Sequence, residues 1–134
     1  MMQNDFGLIS IIMAAYNTEK TIEQAINSVL CQTYTNFELL VVNDCSTDRT
    51  AEWVKSIAAK DSRVRLISNV KNNGVSYTRK HGLEEAKGDW IAILDSDDAW
   101  EPEKLEKQIV LQRRTNADLL FTGSAFMDSE GHPI

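Results

Sequence analysis

Short apolar runs alternate along this chain with stretches in which apolar residues recur every three or four positions. Residues 8–14 are apolar and rich in β-branched side chains, which predicts a buried strand. Ile22, Ala25, Ile26, Val29 and Leu30 then follow at helical spacing, with Thr18 placed to cap that helix. Residues 37–42 predict a second strand running into Asn43-Asp44. Ser46-Thr47-Asp48 can cap a helix whose stripe is Ala51, Val54, Ile57 and Ala58. Residues 64–68 read as a third, shorter strand. Asn72-Asn73-Gly74 signals a turn, after which Val75, Thr78, Gly82, Leu83 and Ala86 share a helical face and Gly88 is a natural stop. Residues 90–94 predict a fourth strand, buried on both faces. Pro102 suits the first turn of a helix carrying Leu105, Ile109 and Gln112 on one side. Residues 119–122 and 125–127 look like further strand, and Glu130-Gly131 like a hairpin turn.

Strands alternating with helices imply right-handed βαβ units and a mostly parallel sheet with helices on both faces, a three-layer α/β/α sandwich. No repeat, linker or low-complexity stretch interrupts residues 1–134, so a single domain is expected. In such sheets ligands bind beyond the carboxyl ends of the strands. Polar residues gather there: Tyr16 and Asn17 after the first strand, Asp44 after the second, Asp95 to Asp98 after the fourth.

Composition narrows the function classes. The chain has 134 residues and a net charge of −6. That balance argues against nucleic acid as a partner, which would call for a basic face. An anionic ligand would need local compensation from a metal, an Arg or backbone N–H groups. Cys31 and Cys45 form neither a disulfide framework nor a metal-ligand pattern, and read as one buried small residue and one loop thiol. The first seven residues lack the basic and apolar regions of a signal peptide, and no apolar stretch is long enough to span a bilayer. A cytoplasmic setting is the expectation.

The chemistry concentrates in Leu94-Asp95-Ser96-Asp97-Asp98. Taken alone, this is also what a solvated turn capping the next helix looks like. Three carboxylates so close repel one another, and a divalent cation makes their spacing useful. Mg2+ or Mn2+ takes one or two protein carboxylates and fills its octahedron with water and phosphate oxygens. The chain has no Gly-x-Gly-x-x-Gly after the first strand and no Gly-Lys-Ser/Thr loop, so it lacks both familiar backbone phosphate cradles. A metal on Asp97 could do that work. Asp44 can accept from a nucleobase N–H and Asp95 from ribose hydroxyls. Tyr16 can lie against a base or simply edge the core. Arg79 can pair with a phosphate or face solvent.

These residues resemble glycosyltransferase family 2. The likeness runs through the stretch from Ser10 to Asn17, through Gln32-Thr33-Tyr34 and on to Asp48. It continues with Gly74-Val75-Ser76, Arg79 and Gly82-Leu83, and ends with Gly88-Asp89-Trp90 and Leu94 to Asp98. The resemblance implies the Rossmann-like GT-A fold and inverting transfer of a sugar from a nucleotide-sugar donor, most often a UDP-sugar, to an acceptor hydroxyl. The acceptor would be a glycan or lipid-linked glycan in surface-polysaccharide assembly. Ala15, Tyr16 and Asp44 would meet the base, Asp95 the ribose, and Asp97 the Mn2+ or Mg2+ on the diphosphate. Asn17, Arg79 and Ser96 complete the expected donor site.

Several positions depart from the family pattern. Ala14 replaces the usual Pro. Cys45 replaces a usual Gly, which predicts strain if that position needs positive φ. His81 is expected to pack or face solvent rather than catalyse. The family's general base lies in the second half of its domain. The chain is therefore expected to be a truncated, donor-binding portion that is itself inactive. A full-length form would sit peripherally at the inner membrane face, and this portion would self-associate through the truncated sheet edge around Phe121 and Phe126. Two other readings are a nucleotidyltransferase, which would want a Gly-rich basic loop after the first strand, and a non-catalytic binding module.

Overall fold

The computed structural model describes residues 6–134. Four parallel strands form one sheet: β1 (Ile9–Ala15), β2 (Phe37–Asn43), β3 (Val64–Ser68) and β4 (Trp90–Ile93), in the order β3-β2-β1-β4. The helices are α1 (Ile22–Leu30), α2 (Thr50–Ala58), α3 (Val75–Glu85) and α4 (Lys104–Thr115). The strand order reverses between β1 and β4, and that gap is where an open parallel sheet opens a crevice.

The strand period of two divides β1 between two layers. Ile9, Ile11, Met13 and Ala15 join Ile22, Ala25, Ile26 and Val29 of α1, Val54 of α2, and Leu105 and Ile109 of α4 in one core. Ile12, on the other face, meets α3. Gly82 lets that helix lie close, since a Cβ there would stand 2.7 Å from Ile12 Cγ2. Gln32 fastens α4 to the end of α1, accepting from Leu105 N and donating to the Glu101 carbonyl. No helix among the described residues is long and apolar enough to cross a membrane.

Several expectations are corrected. β4 is an edge strand and is not buried on both faces: α3 covers β1 and β2, leaving Ile91 and Ile93 43% and 49% exposed. In α3 only Thr78 and Gly82 are buried, while Val75 and Leu83 face outward. That helix ends at Glu85, with Ala86 already extended, so Gly88 does not stop it. Gly88 instead abuts β1, where a Cβ would meet Ser10 N at 2.6 Å. α1 is entered at Thr21 rather than Thr18, whose carbonyl accepts from Thr21 N and Ile22 N. Pro102 lies just outside α4. Cys31 is exposed, and Cys45 is partly buried.

Residues 119–122 and 125–127 form no strand. They find no sheet partner, and strand propensity without a ladder does not hold a strand. The exception is an isolated antiparallel bridge between Met127 and Pro133. The turn at Glu130-Gly131 is present, with Gly131 at φ 88° and its N–H donating to the Asp128 carbonyl.

Candidate functional site

The carboxyl ends of β1 and β2 are stitched together first. Asp44 N donates to the Ala15 carbonyl, extending the ladder past both strands. Asn17 takes φ 50°, and its side-chain oxygen accepts from Thr47 N at 2.8 Å while its own N–H donates to Ser46 Oγ. Asp48 accepts from Thr50 N, Thr50 Oγ1 and Glu19 N, so the start of α2 and the loop after β1 share one carboxylate. Asn17 therefore ties the loop after β1 to the loop after β2. Cys45 does adopt positive φ, 59°, a conformation that costs a non-glycine residue about 1–3 kcal/mol. Its Sγ reaches the Asn69 carbonyl at 3.2 Å.

Asp44 is buried at 4% exposure, and its carboxylate is already well supplied with donors. Oδ1 accepts from Asn69 Nδ2 and Asn73 N, both at 2.8 Å, and Oδ2 from Gly74 N at 2.9 Å. Burial disfavours the charge, but the donors from Asn69, Asn73 and Gly74 outweigh it and hold the pKa below the ordinary carboxylate value. Asp44 is thus an ionised, acceptor-only group at neutral pH. Oδ1 has both lone pairs taken and Oδ2 has one left.

That carboxylate forms part of the wall of a cavity of about 240 Å3, with Ala14, Ala15 and Tyr16 from the end of β1 and Gly74 and Val75 from the start of α3. Its volume is below the roughly 300–1,000 Å3 of pockets that enclose whole drug-sized ligands, so it suits one ring. Tyr16 is half exposed at its mouth. A larger groove of about 540 Å3, between α1 and residues 99–102, contains neither Asp44 nor any of the β4 carboxylates.

The second half of the site follows β4. Leu94 N donates to the Ile12 carbonyl, and Asp98 N to the Asp95 carbonyl, closing a tight turn. Carboxylate oxygens of Asp95, Asp97 and Asp98 lie within 4.8 Å of one another. Burial, then the charges of Asp97 and Asp95, push the pKa of Asp98 up. Convergent, mutually repelling carboxylates at a partly open turn are a donor set that fits a hard divalent cation. Ser96 is buried beneath the turn, and its carbonyl accepts from Thr21 Oγ1. Arg79 reaches across from α3, donating from Nη2 to Asp95 Oδ1 at 2.7 Å, while its Nε is buried without a partner. In the structure this guanidinium therefore pairs with Asp95.

Of the residues singled out by sequence, Ala15, Tyr16 and Asp44 line the cavity, Asp95 and Asp97 sit in the acidic turn, and Arg79 spans α3 and β4. Asn17 and Ser96 support the edge. The sequence reading missed the parts played by Asn69, Asn73, Thr78 and His81, while Asp98 stands with Asp95 and Asp97 as the three close carboxylates it singled out. Asn69 stands one residue beyond β3, and the strand-end rule that picked out Asp44 would have found it.

The family model for glycosyl transferase family 2 matches residues 10–131. The chain is 45% identical over 117 residues to the Escherichia coli UDP-Glc:alpha-D-GlcNAc-diphosphoundecaprenol beta-1,3-glucosyltransferase WfgD, covering 87% of this chain and 46% of that protein. It is 44% identical over 101 residues to the succinoglycan biosynthesis protein ExoO of Rhizobium meliloti, covering 75% of this chain and 28% of that protein. Among solved structures, S. aureus TarS bound to UDP-GlcNAc superposes with a TM-score of 0.77 at 31% identity, covering 82% of this chain and 32% of TarS. The Pyrobaculum calidifontis mannosyltransferase PcManGT, solved with GDP-Man and Mn2+, gives 0.65 at 26% identity, covering 69% of this chain and 28% of that one. The chain spans about half the length of the first curated relatives it matches. With a family model matched from residue 10 to residue 131 and relatives that share up to 45% of its residues, the chain belongs to glycosyl transferase family 2.

Proposed function

We propose that this protein binds a nucleotide-sugar, preferably a UDP-sugar, as the donor half of an inverting glycosyltransferase that transfers the sugar to an acceptor hydroxyl during polysaccharide assembly. The observation that carries the reading is the buried, ionised Asp44 on a single-ring cavity, on the same sheet edge as Asp95, Asp97 and Asp98. Uracil offers an imide N–H to the free lone pair of Asp44, whereas the corresponding ring nitrogen of cytosine has only an acceptor to offer. Tyr16 lies against the base, and Asp95 accepts from the ribose. Asp97, with Asp98 beside it, would hold Mn2+ or Mg2+. Such an ion, when bound, neutralises charge on the departing diphosphate. The reading assigns no residue of this chain as general base toward the acceptor.

Two features of the similar proteins support the donor and acceptor classes. TarS was solved with UDP-GlcNAc, and the name of WfgD specifies a UDP-linked donor and a diphosphoundecaprenol-linked acceptor. A lipid-linked acceptor would bring the protein to the inner membrane face as a peripheral enzyme. Self-association through β4 is part of the proposal, supported by the exposed Ile91 and Ile93 on that edge. Light scattering at rising concentration tests it, a monomer throughout removing it. Competition between UDP, CDP and GDP in the presence of Mn2+ tests the donor assignment. UDP is expected to bind tightest, and preference for CDP would contradict the role given to Asp44.

A further inference from the structure

Behind Asp44 lies a second layer that the donor reading does not require. Asn69, 6% exposed, is a hub: its Nδ2 donates both to Asp44 Oδ1 at 2.8 Å and to Thr78 Oγ1 at 2.9 Å. Its backbone N–H donates to the Asn43 carbonyl at 2.9 Å. Both amide protons are committed, so its Oδ1 must face the other way. There it meets His81 Nδ1 at 2.7 Å. Two acceptors cannot sit at that distance, so Nδ1 carries the hydrogen. Neutral or protonated, the imidazole donates through the same atom.

We propose that His81 is a positioning residue for the nucleobase: by donating Nδ1–H to Asn69 it fixes that amide, and the amide in turn holds Asp44 with one Oδ2 lone pair open to the cavity. This rests on the nucleotide-sugar reading for its ligand but not for its geometry. His81 lies on α3, two residues past Arg79 and on the turn after Thr78, so one helix presents both the layer behind the base pocket and the cation that pairs with Asp95. Without the His81 donor, Asn69 Oδ1 would be left buried and unpaired. The amide would then gain by turning to water, and Asp44 would lose the donor that orients it.

The tautomer is read in the unmutated chain by 15N-resolved NMR at a pH above the imidazole titration. Nδ1–H with a bare Nε2 is expected, and a bare Nδ1 overturns the proposal. Variants then read the coupling to the ligand, with uridine and Mn2+ titrated separately. His81→Leu should weaken uridine about tenfold, equivalent to 1.4 kcal/mol, and leave Mn2+ affinity unchanged. His81→Asn, whose amide can donate from nearly the same place, should recover most of the loss. Unchanged uridine affinity in His81→Leu overturns the proposal. So does an equal loss of Mn2+, or a His81→Asn chain as weak as His81→Leu. If the wild-type chain binds no uridine at all, the nucleotide reading fails instead. The positioning is then read from the 13Cγ titration of Asp44, which should move upward in His81→Leu and stay in place in His81→Asn. No movement in His81→Leu would overturn it.

Discussion

Asp44 shows how much one side chain can be asked to do. Three donors converge on its carboxylate in a buried site, so exchanging one oxygen for an amide sets an N–H against an N–H. Asp44→Asn should therefore cost about 1–3 kcal/mol of stability, measured as a lower urea midpoint at unchanged slope, and should weaken uridine as well as UDP. UDP weakened with uridine untouched would move Asp44 away from the base. The same network sets an acid response. The folded-state pKa of Asp44 lies below the ordinary carboxylate value of 3.8, so its stabilisation is complete above that value and is lost as pH falls through the lower folded one. Asp61, held down chiefly by its bond from Arg63, acts in the same direction. Asp98, raised by burial and by Asp97 and Asp95, acts oppositely: its contribution is largest below 3.8 and is lost as pH rises through its folded-state value. Urea midpoints from pH 7 down to 2 should fall steeply at the acid end in the wild type, and less steeply in Asp44→Asn. Parallel curves would show that Asp44 carries none of the acid sensitivity.

Among the elements, those with a strong period were legible and those that depend on a neighbour were not. The stripe of α1 and the apolar runs of β1, β2 and β3 match their structural bounds to within a residue or so, because burial there is dictated by the segment itself. β4 carries the same kind of run, yet its outer face is open, because whether that face is covered depends on how far α3 extends across the sheet. Gly88 illustrates the same limit. Its place after a helical stretch suggests a cap, but its role is to let the chain pass against β1. Gly88→Ala would set a Cβ against the backbone of Ser10 and Leu8, which only a shift of the strand can relieve. A loss of about 1–3 kcal/mol or more is expected, as for overpacked cores. Gly123→Ala, with nothing within 4 Å, should leave the denaturation midpoint nearly unchanged. Equal effects at the two glycines would contradict the close approach of this loop to β1.

For the whole molecule, the site is the product of topology. No sequence neighbour of Asp44 lies near Asp95 in the chain. The order β3-β2-β1-β4 sets Ala15 between their strands, and α3 touches both ends, with Gly74 at Asp44 and Arg79 at Asp95. The sequence made the two acidic positions visible because each ends an apolar run. Behind them, Asn69 falls under the same rule, one residue past β3, whereas His81 stayed hidden because a helical polar residue held by another polar residue has no period to betray it. The central claim is that one edge of this sheet binds a nucleoside diphosphate with a divalent cation on Asp97. The most direct measurement is the melting temperature of the 134-residue chain with UDP, with and without Mn2+, beside Asp97→Asn. At about a hundred times the dissociation constant, ligand should add roughly 2.7 kcal/mol. The account predicts an upward shift in the wild type that needs Mn2+ and is lost in Asp97→Asn. A melting curve unmoved by UDP plus Mn2+, or a shift that survives unchanged in Asp97→Asn, would contradict it.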